Sequence, residues 1–249
     1  MAPPRSAFGA PPQGGAASGP AKPVPRRPLD GPMMLPSRLD SGAQLLGGPA
    51  GTMEVLFDLP KAPAVGVAIV AHPQPLLGGS ATHKVPQLLA RALCDAGWRV
   101  ARPNFRGVGR SAGAHDRGDG ETEDLLALCA LLREAFPAQH LALVGFSFGA
   151  YVQARVASRL AELGDPAWRV ALAGMPFGDI VGARHYDTPR DVAGALIVHG
   201  EHDERVPLQA VFDWARPTSH PVVVVPGADH FFSGRLPVLR TLVLSHLKA

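Results

Sequence analysis

From about residue 43 onward in this 249-residue chain, short apolar, β-branched runs alternate with longer amphipathic stretches, and this alternation restricts the fold more than any other feature. Strands covered on both faces read as continuous apolar runs, and most of these runs lead into a segment with helical spacing. The pattern predicts an α/β fold: a mostly parallel central sheet of about seven to eight strands with helices on both faces. Strands are expected near Met53 to Leu59, Val65 to Ala71, Arg99 to Pro103, Leu141 to Gly145, Val170 to Gly174, Ala195 to His199 and Val222 to Val225. Helices are expected near Thr82 to Ala96, Thr122 to Phe136, Phe148 to Leu163, Pro207 to Ala215 and Leu236 to Leu247. Thr122 is the expected N-cap of the second helix, and Pro137 stands just beyond its end.

With 46% hydrophobic and only 18% charged residues, the chain can bury a sizeable core. Its first part is different in kind. From Met1 to about Pro36 it is mostly Pro, Gly and Ala, with few large apolar side chains to offset the entropy of ordering. A disordered tail over residues 1–40 and a single domain over 41–249 are therefore expected. Met33 and Met34 close the tail and offer an alternative start of translation. The formal charge of +3 resides in that tail, where five Lys and Arg face two Asp, so the body is balanced. A balanced body with few aromatic residues carries no electrostatic footprint for nucleic acid. Cys94 and Cys129 fall in predicted helices as small apolar residues, which fits a reducing compartment. No apolar run approaches the length of a bilayer span and no signal-like stretch opens the chain, so a cytoplasmic location without membrane association is expected.

The pattern Gly-x-Ser-x-Gly occurs twice, as Gly145-Phe146-Ser147-Phe148-Gly149 and as Gly109-Arg110-Ser111-Ala112-Gly113. Context separates them. Ser147 follows the apolar run LALVG and opens the helical run FGAYVQARVASRL, the strand, sharp turn and helix of a nucleophile elbow. Ser111 has neither neighbour and reads as structural. Flanking glycines suit such an elbow because larger residues would collide with adjacent elements, and the N–H of Phe148 at the helix start can donate to an oxyanion.

An acid and a base belong downstream, after later strands. Asp203 follows ALIVHG and His230 follows VVVVPG, so both stand at carboxyl ends of strands, the edge where open parallel sheets place their sites. In this reading His230 takes the proton of Ser147 and Asp203 fixes the imidazole tautomer. Glu201 and Asp179 are the alternatives to Asp203. His199 and His202 have the spacing of a metal pair but straddle a strand end with no further ligand set, so no metal or other cofactor is expected. The second oxyanion donor should come from the loop His72-Pro73-Gln74-Pro75-Leu76-Leu77-Gly78-Gly79. Proline has no N–H, which leaves Gln74 as the donor just after His72.

With HPQPLLGG, NFRGVGRS, GFSFG, the Asp203 segment and GADHFF in this order from about Gly51 to Ala249, the chain resembles the α/β-hydrolase superfamily. More narrowly, it is similar to small lid-less bacterial serine hydrolases related to dienelactone hydrolase-like and acyl-peptidase-like enzymes. It departs from many relatives in having Pro73 where they have glycine, and from dienelactone hydrolase-like members in having Ser147 where they have cysteine. The resemblance implies a serine hydrolase that cleaves an ester or related acyl bond of a small-molecule substrate through an acyl-enzyme. The same triad would also serve an acyltransferase or a peptidase, and a fold retained for binding alone is the remaining alternative. Arg106 reads as a brace between loops. The interval Met175 to Val192, where relatives insert a lid, is too short for a large cap domain. Phe146, Phe148, Phe177, Phe231 and Phe232 are candidates for lining a substrate pocket, with core packing as the competing reading; Phe146, Phe177 and Phe231 are the ones assigned to substrate.

Overall fold

The computed structural model describes residues 33–180, 182 and 184–248. The strands are β1 (Gly42–Gly48), β2 (Gly51–Asp58), β3 (Gly66–Ala71), β4 (Trp98–Pro103), β5 (His140–Phe146), β6 (Arg169–Ala173), β7 (Gly178–Ile180), β8 (Arg184–Tyr186), β9 (Leu196–Gly200) and β10 (Val222–Val225). The helices are α1 (Lys84–Asp95), α2 (Asp119–Ala135), α3 (Phe148–Glu162), α4 (Leu208–Ala215) and α5 (Leu236–His246). Eight strands form one sheet in the order β1-β2-β4-β3-β5-β6-β9-β10. The first two are antiparallel to each other, and β2 is antiparallel to β4. All remaining pairs are parallel, as the apolar runs predicted.

Residues alternate between two cores because successive side chains of a strand point to opposite faces. Val67, Ile69, Leu141, Leu143, Val170 and Leu172 pack into one core with α2, α3 and α4. Ala68, Val70, Ala142, Val144, Ala171 and Val198 pack into the other with α1 and α5. The disordered tail expected over 1–40 lies outside the described residues as far as residue 32. Beyond it, Met33, Leu35 and Leu39 rest half-buried against the first core. Among the described residues no helix is long and apolar enough to cross a membrane.

Three elements differ from the expectations. Strand β1, GAQLLGG, has a weak strand signal because three of its seven residues are glycine and only Leu45 and Leu46 are large and apolar, yet it pairs along its whole length with β2. The short hairpin of β7 and β8 occupies the interval from Met175 to Val192, for which no strand was expected. Helix α2 begins at Asp119, so Thr122 is an interior residue whose Oγ1 donates to the Gly118 carbonyl instead of capping. The capping work falls to the buried Glu121 carboxylate, which accepts from the N–H groups of Asp116 and Gly118.

The second Gly-x-Ser-x-Gly serine is a loop clamp. Ser111 is buried, donates from Oγ to the Asn104 carbonyl at 2.7 Å and accepts the Glu54 N–H at 3.0 Å. Glu54 in turn accepts from the Asn104 side chain and from the backbone and guanidinium of Arg110. The loop from Asn104 to Ser111 is thereby fastened to β2, and Arg106 braces it from the other side by forking onto Asp124 at 2.8 and 2.9 Å. Ser111→Ala leaves a buried donor and a buried acceptor unpaired, so urea denaturation should show a stability loss of about 1–3 kcal/mol.

Candidate active site

Parallel strands end together, and the loops that leave those ends meet on one rim. The chain turns out of β5 at Ser147, out of β9 toward Asp203 and out of β10 toward His230. Ser147 has φ 55° and ψ −123°, a conformation that L-residues rarely adopt, and it holds this turn between strand and helix. A side chain on Gly145 would place its Cβ 2.5 Å from Ala150 Cα, and one on Gly149 would come within 2.4 Å of the Ala71 carbonyl oxygen. The tightness of the turn thus explains both glycines.

His230 Nε2 lies 2.9 Å from Ser147 Oγ, and His230 Nδ1 lies 2.7 Å from Asp203 Oδ2. A carboxylate only accepts, so Nδ1 carries the proton and Nε2 offers its lone pair to the serine hydroxyl. The structure therefore brings Ser147, Asp203 and His230 together. Asp203 is itself held: Oδ1 accepts the N–H groups of Arg205 at 3.0 Å and Val206 at 2.8 Å. Behind it, the buried His199 donates from Nε2 to the Val206 carbonyl at 2.9 Å and stands 3.4 Å from Asp203 Oδ2. Burial lowers the pKa of His199, consistent with a neutral ring in that position. The alternatives to Asp203 lie elsewhere. Exposed Asp179 pairs with His185, and Glu201 accepts the Gly227 N–H. His199 is buried while His202 is exposed, so the two do not share an environment.

The loop after β3 is pinned at both ends. Pro73 is followed by Gln74 and a tight turn over Pro75–Leu77, closed by the N–H groups of Leu77 and Gly79 donating to the Gln74 carbonyl. At its start, His72 is wholly buried; Nε2 accepts the Phe105 N–H at 3.0 Å, so the proton sits on Nδ1 and donates to the Pro73 carbonyl at 2.7 Å. At its end, the Ala81 N–H donates to Asn104 Oδ1 at 2.8 Å and the Ala81 carbonyl accepts from Arg102 at 2.7 Å. Gln74 lines the same depression as Ser147, and its side chain donates to the Tyr186 hydroxyl at 3.1 Å. Phe148 opens α3, where the first N–H groups have no acceptor within the helix.

The depression around Ser147 and His230 has a volume of about 90 Å³. Phe231 lines it, edge-on to the His230 ring. Phe146 and Phe177, the other two aromatics assigned to substrate, do not line it. Phe146 points to the α1/α5 side of the sheet, wholly buried, and backs the His230 ring at 5.2 Å between centroids. Phe177 packs against the opposite core beneath the Arg190 guanidinium. Phe148 and Phe232 are core residues as well. His83, Tyr186, Arg184 and Arg205 line the depression without having been singled out in the sequence. His83 caps α1 by accepting the Val85 N–H, and no sequence signal shows that this cap faces the serine.

An α/β hydrolase fold model matches residues 76–166. An uncharacterized protein of Rickettsia prowazekii is 34% identical over 197 residues, 74% of this chain and 79% of that protein. Among solved structures, an α/β serine hydrolase without lid from Xanthomonas campestris is 37% identical, with a TM-score of 0.72 over 86% of this chain and 95% of that one. An α/β serine hydrolase homologue from Coxiella burnetii is also 37% identical, with a TM-score of 0.75 over 85% of this chain and 100% of that one.

Burial lowers the His72 pKa from 6.5 to about 3. Between those values the unfolded chain binds a proton that the folded protein refuses, so stability present above pH 6.5 is lost as pH falls toward 3. One such proton contributes a slope of about 1.4 kcal/mol per pH unit, and His199 adds to it in the same direction. Urea midpoints measured from pH 7 to 4 should fall less steeply in His72→Asn than in the wild type, although the variant is less stable overall. A slope that the substitution leaves unchanged would contradict this placement of the ring.

Proposed function

The chain belongs to the α/β-hydrolase superfamily, and from that premise we propose that it is a serine hydrolase of the carboxylesterase type, cleaving small acyl esters through an acyl-enzyme. The observation that carries this reading is the unbroken line from Ser147 Oγ through both nitrogens of His230 to Asp203, at 2.9 and 2.7 Å, opening into the depression. Ser147 Oγ attacks the ester carbonyl while His230 Nε2 takes its proton. Asp203 keeps the imidazole in the needed tautomer and stabilises the imidazolium. Negative charge gathering on the carbonyl oxygen is met by the N–H groups of Phe148 and Gln74, set by the helix start and by the pinned loop. The intermediate collapses, His230 returns its proton to the departing alcohol, and the acyl group stays on Ser147. Water enters, gives a proton to His230, and releases the acid as the proton passes back to Ser147. No cofactor enters these steps.

The volume supports small substrates. Sites for drug-sized ligands run from about 300 to 1,000 Å³, several times the 90 Å³ here. Two measurements test the proposal. A fluorophosphonate should label the wild type at Ser147 and leave Ser147→Ala unlabelled; labelling that persists in the variant would refute the assignment. In turnover of p-nitrophenyl esters, kcat/KM should be highest for acetyl to butyryl and fall for long acyl chains. Asp203→Asn should lower kcat by about 10³- to 10⁴-fold through loss of the correct tautomer.

A further inference from the structure

We propose that the esters this site prefers carry a carboxylate within a few atoms of the scissile carbonyl, held by Arg205 with Arg184 across the depression. The inference rests on the esterase reading and specifies its substrate class. Residues 41–249 contain as many Asp and Glu as Lys and Arg. The lining of the depression does not share that balance, for it includes Arg184, Arg205, His83 and His230 and no carboxylate. Asp203 lies beneath it, fully committed to His230, His199 and two backbone N–H groups.

Arg205 is set up for this task by its surroundings. Its backbone is fixed by the bond from its N–H to Asp203, and its guanidinium lies over the Phe231 ring at 5.0 Å. Stacking on a ring face orients the planar group while leaving its N–H edge open, the edge that matches a carboxylate. No carboxylate stands within ion-pairing distance of Arg205 among the described residues, whereas Arg102, Arg106 and Arg110 each pair with one. Arg184 comes from the β7–β8 hairpin, on the same short strand as Tyr186, whose hydroxyl receives the Gln74 amide. A guanidinium is thus carried on the strand whose tyrosine grips the loop expected to hold the oxyanion. Two cations around so small a depression attract an anion more strongly than a neutral polar group in the same place.

The test measures how well unlabelled esters slow fluorophosphonate labelling of Ser147 in the full-length protein. Monomethyl glutarate carries the carboxylate on the acyl side and 4-acetoxybutanoate on the alcohol side; each is compared with its neutral primary amide. At least one carboxylate should protect at a roughly tenfold lower concentration than its amide, the scale of a charge-assisted hydrogen-bonded pair. That ratio should fall toward one in Arg205→Gln and drop as salt is raised. Which ester shows the advantage assigns the anion to one side of the scissile bond. The inference is overturned by equal protection from acids and amides, including none from any of the four. It is equally overturned by a preference that survives both Arg205→Gln and Arg184→Gln. Failure of the wild type to be labelled at all would instead bring down the esterase reading itself.

Discussion

The parallel register of β5, β6, β9 and β10 is the constraint on which the site depends. Phe146 pairs with Ala173, Ala173 with Val198 and Val198 with Val223, so four strands end at nearly one level. Bonds that continue past the strands lock the loops to that level. The Ser147 N–H donates to the Ala173 carbonyl, the Gly174 N–H to Val198, the Glu201 N–H to Val225 and the His202 N–H to Ala228. Residues 83 positions apart in the chain are thereby held at hydrogen-bonding distance without any contact of their own strong enough to bring them there. A single hydrogen bond contributes too little to offset the entropy of closing such a loop, so the sheet must do it.

The other half of the site is built by a relay of buried polar groups. Glu54 on β2 holds Asn104, Asn104 holds Ala81, and the neighbouring Phe105 N–H holds His72, whose second nitrogen holds Pro73. The relay spans from an antiparallel strand at one side of the sheet to the loop beside Ser147. Each member is satisfied by the next, which is why polar groups this deeply buried are tolerated. Proline at position 73 fits the same logic: a residue that needs no N–H acceptor can offer its carbonyl to His72.

Much of this was legible in the residues. Long apolar runs show through because both faces of a parallel strand are buried, and the order of Ser147, Asp203 and His230 shows through because each follows such a run. What was not legible depends on tertiary context. In GAQLLGG the glycines hide a strand that exists only by pairing with β2. The three-residue strands of the β7–β8 hairpin are too short to show a period. Phe146 and Phe177 sit on opposite faces of the sheet, and neither faces the depression; composition alone does not distinguish an aromatic that backs the His230 ring from one that lines a pocket. Thr122 has the right chemistry for a cap, but the buried Glu121 one residue earlier secures a start closer to Asp119. Arg205 has no motif at all, because its place follows from a loop held by Asp203, and His199, which the sequence offers only as half of a metal pair, stands behind Asp203 because strand β9 carries it there.

Hydrolysis by this route requires that Ser147 become acylated. Acid-quenched mass spectrometry of the protein mixed with p-nitrophenyl acetate measures this most directly. A single acetyl group should appear on the peptide containing Ser147 in the wild type, accumulate more slowly in Asp203→Asn and be missing in Ser147→Ala. Turnover of the ester with no adduct on that peptide in any quench interval, or an adduct that maps to another residue, would contradict it.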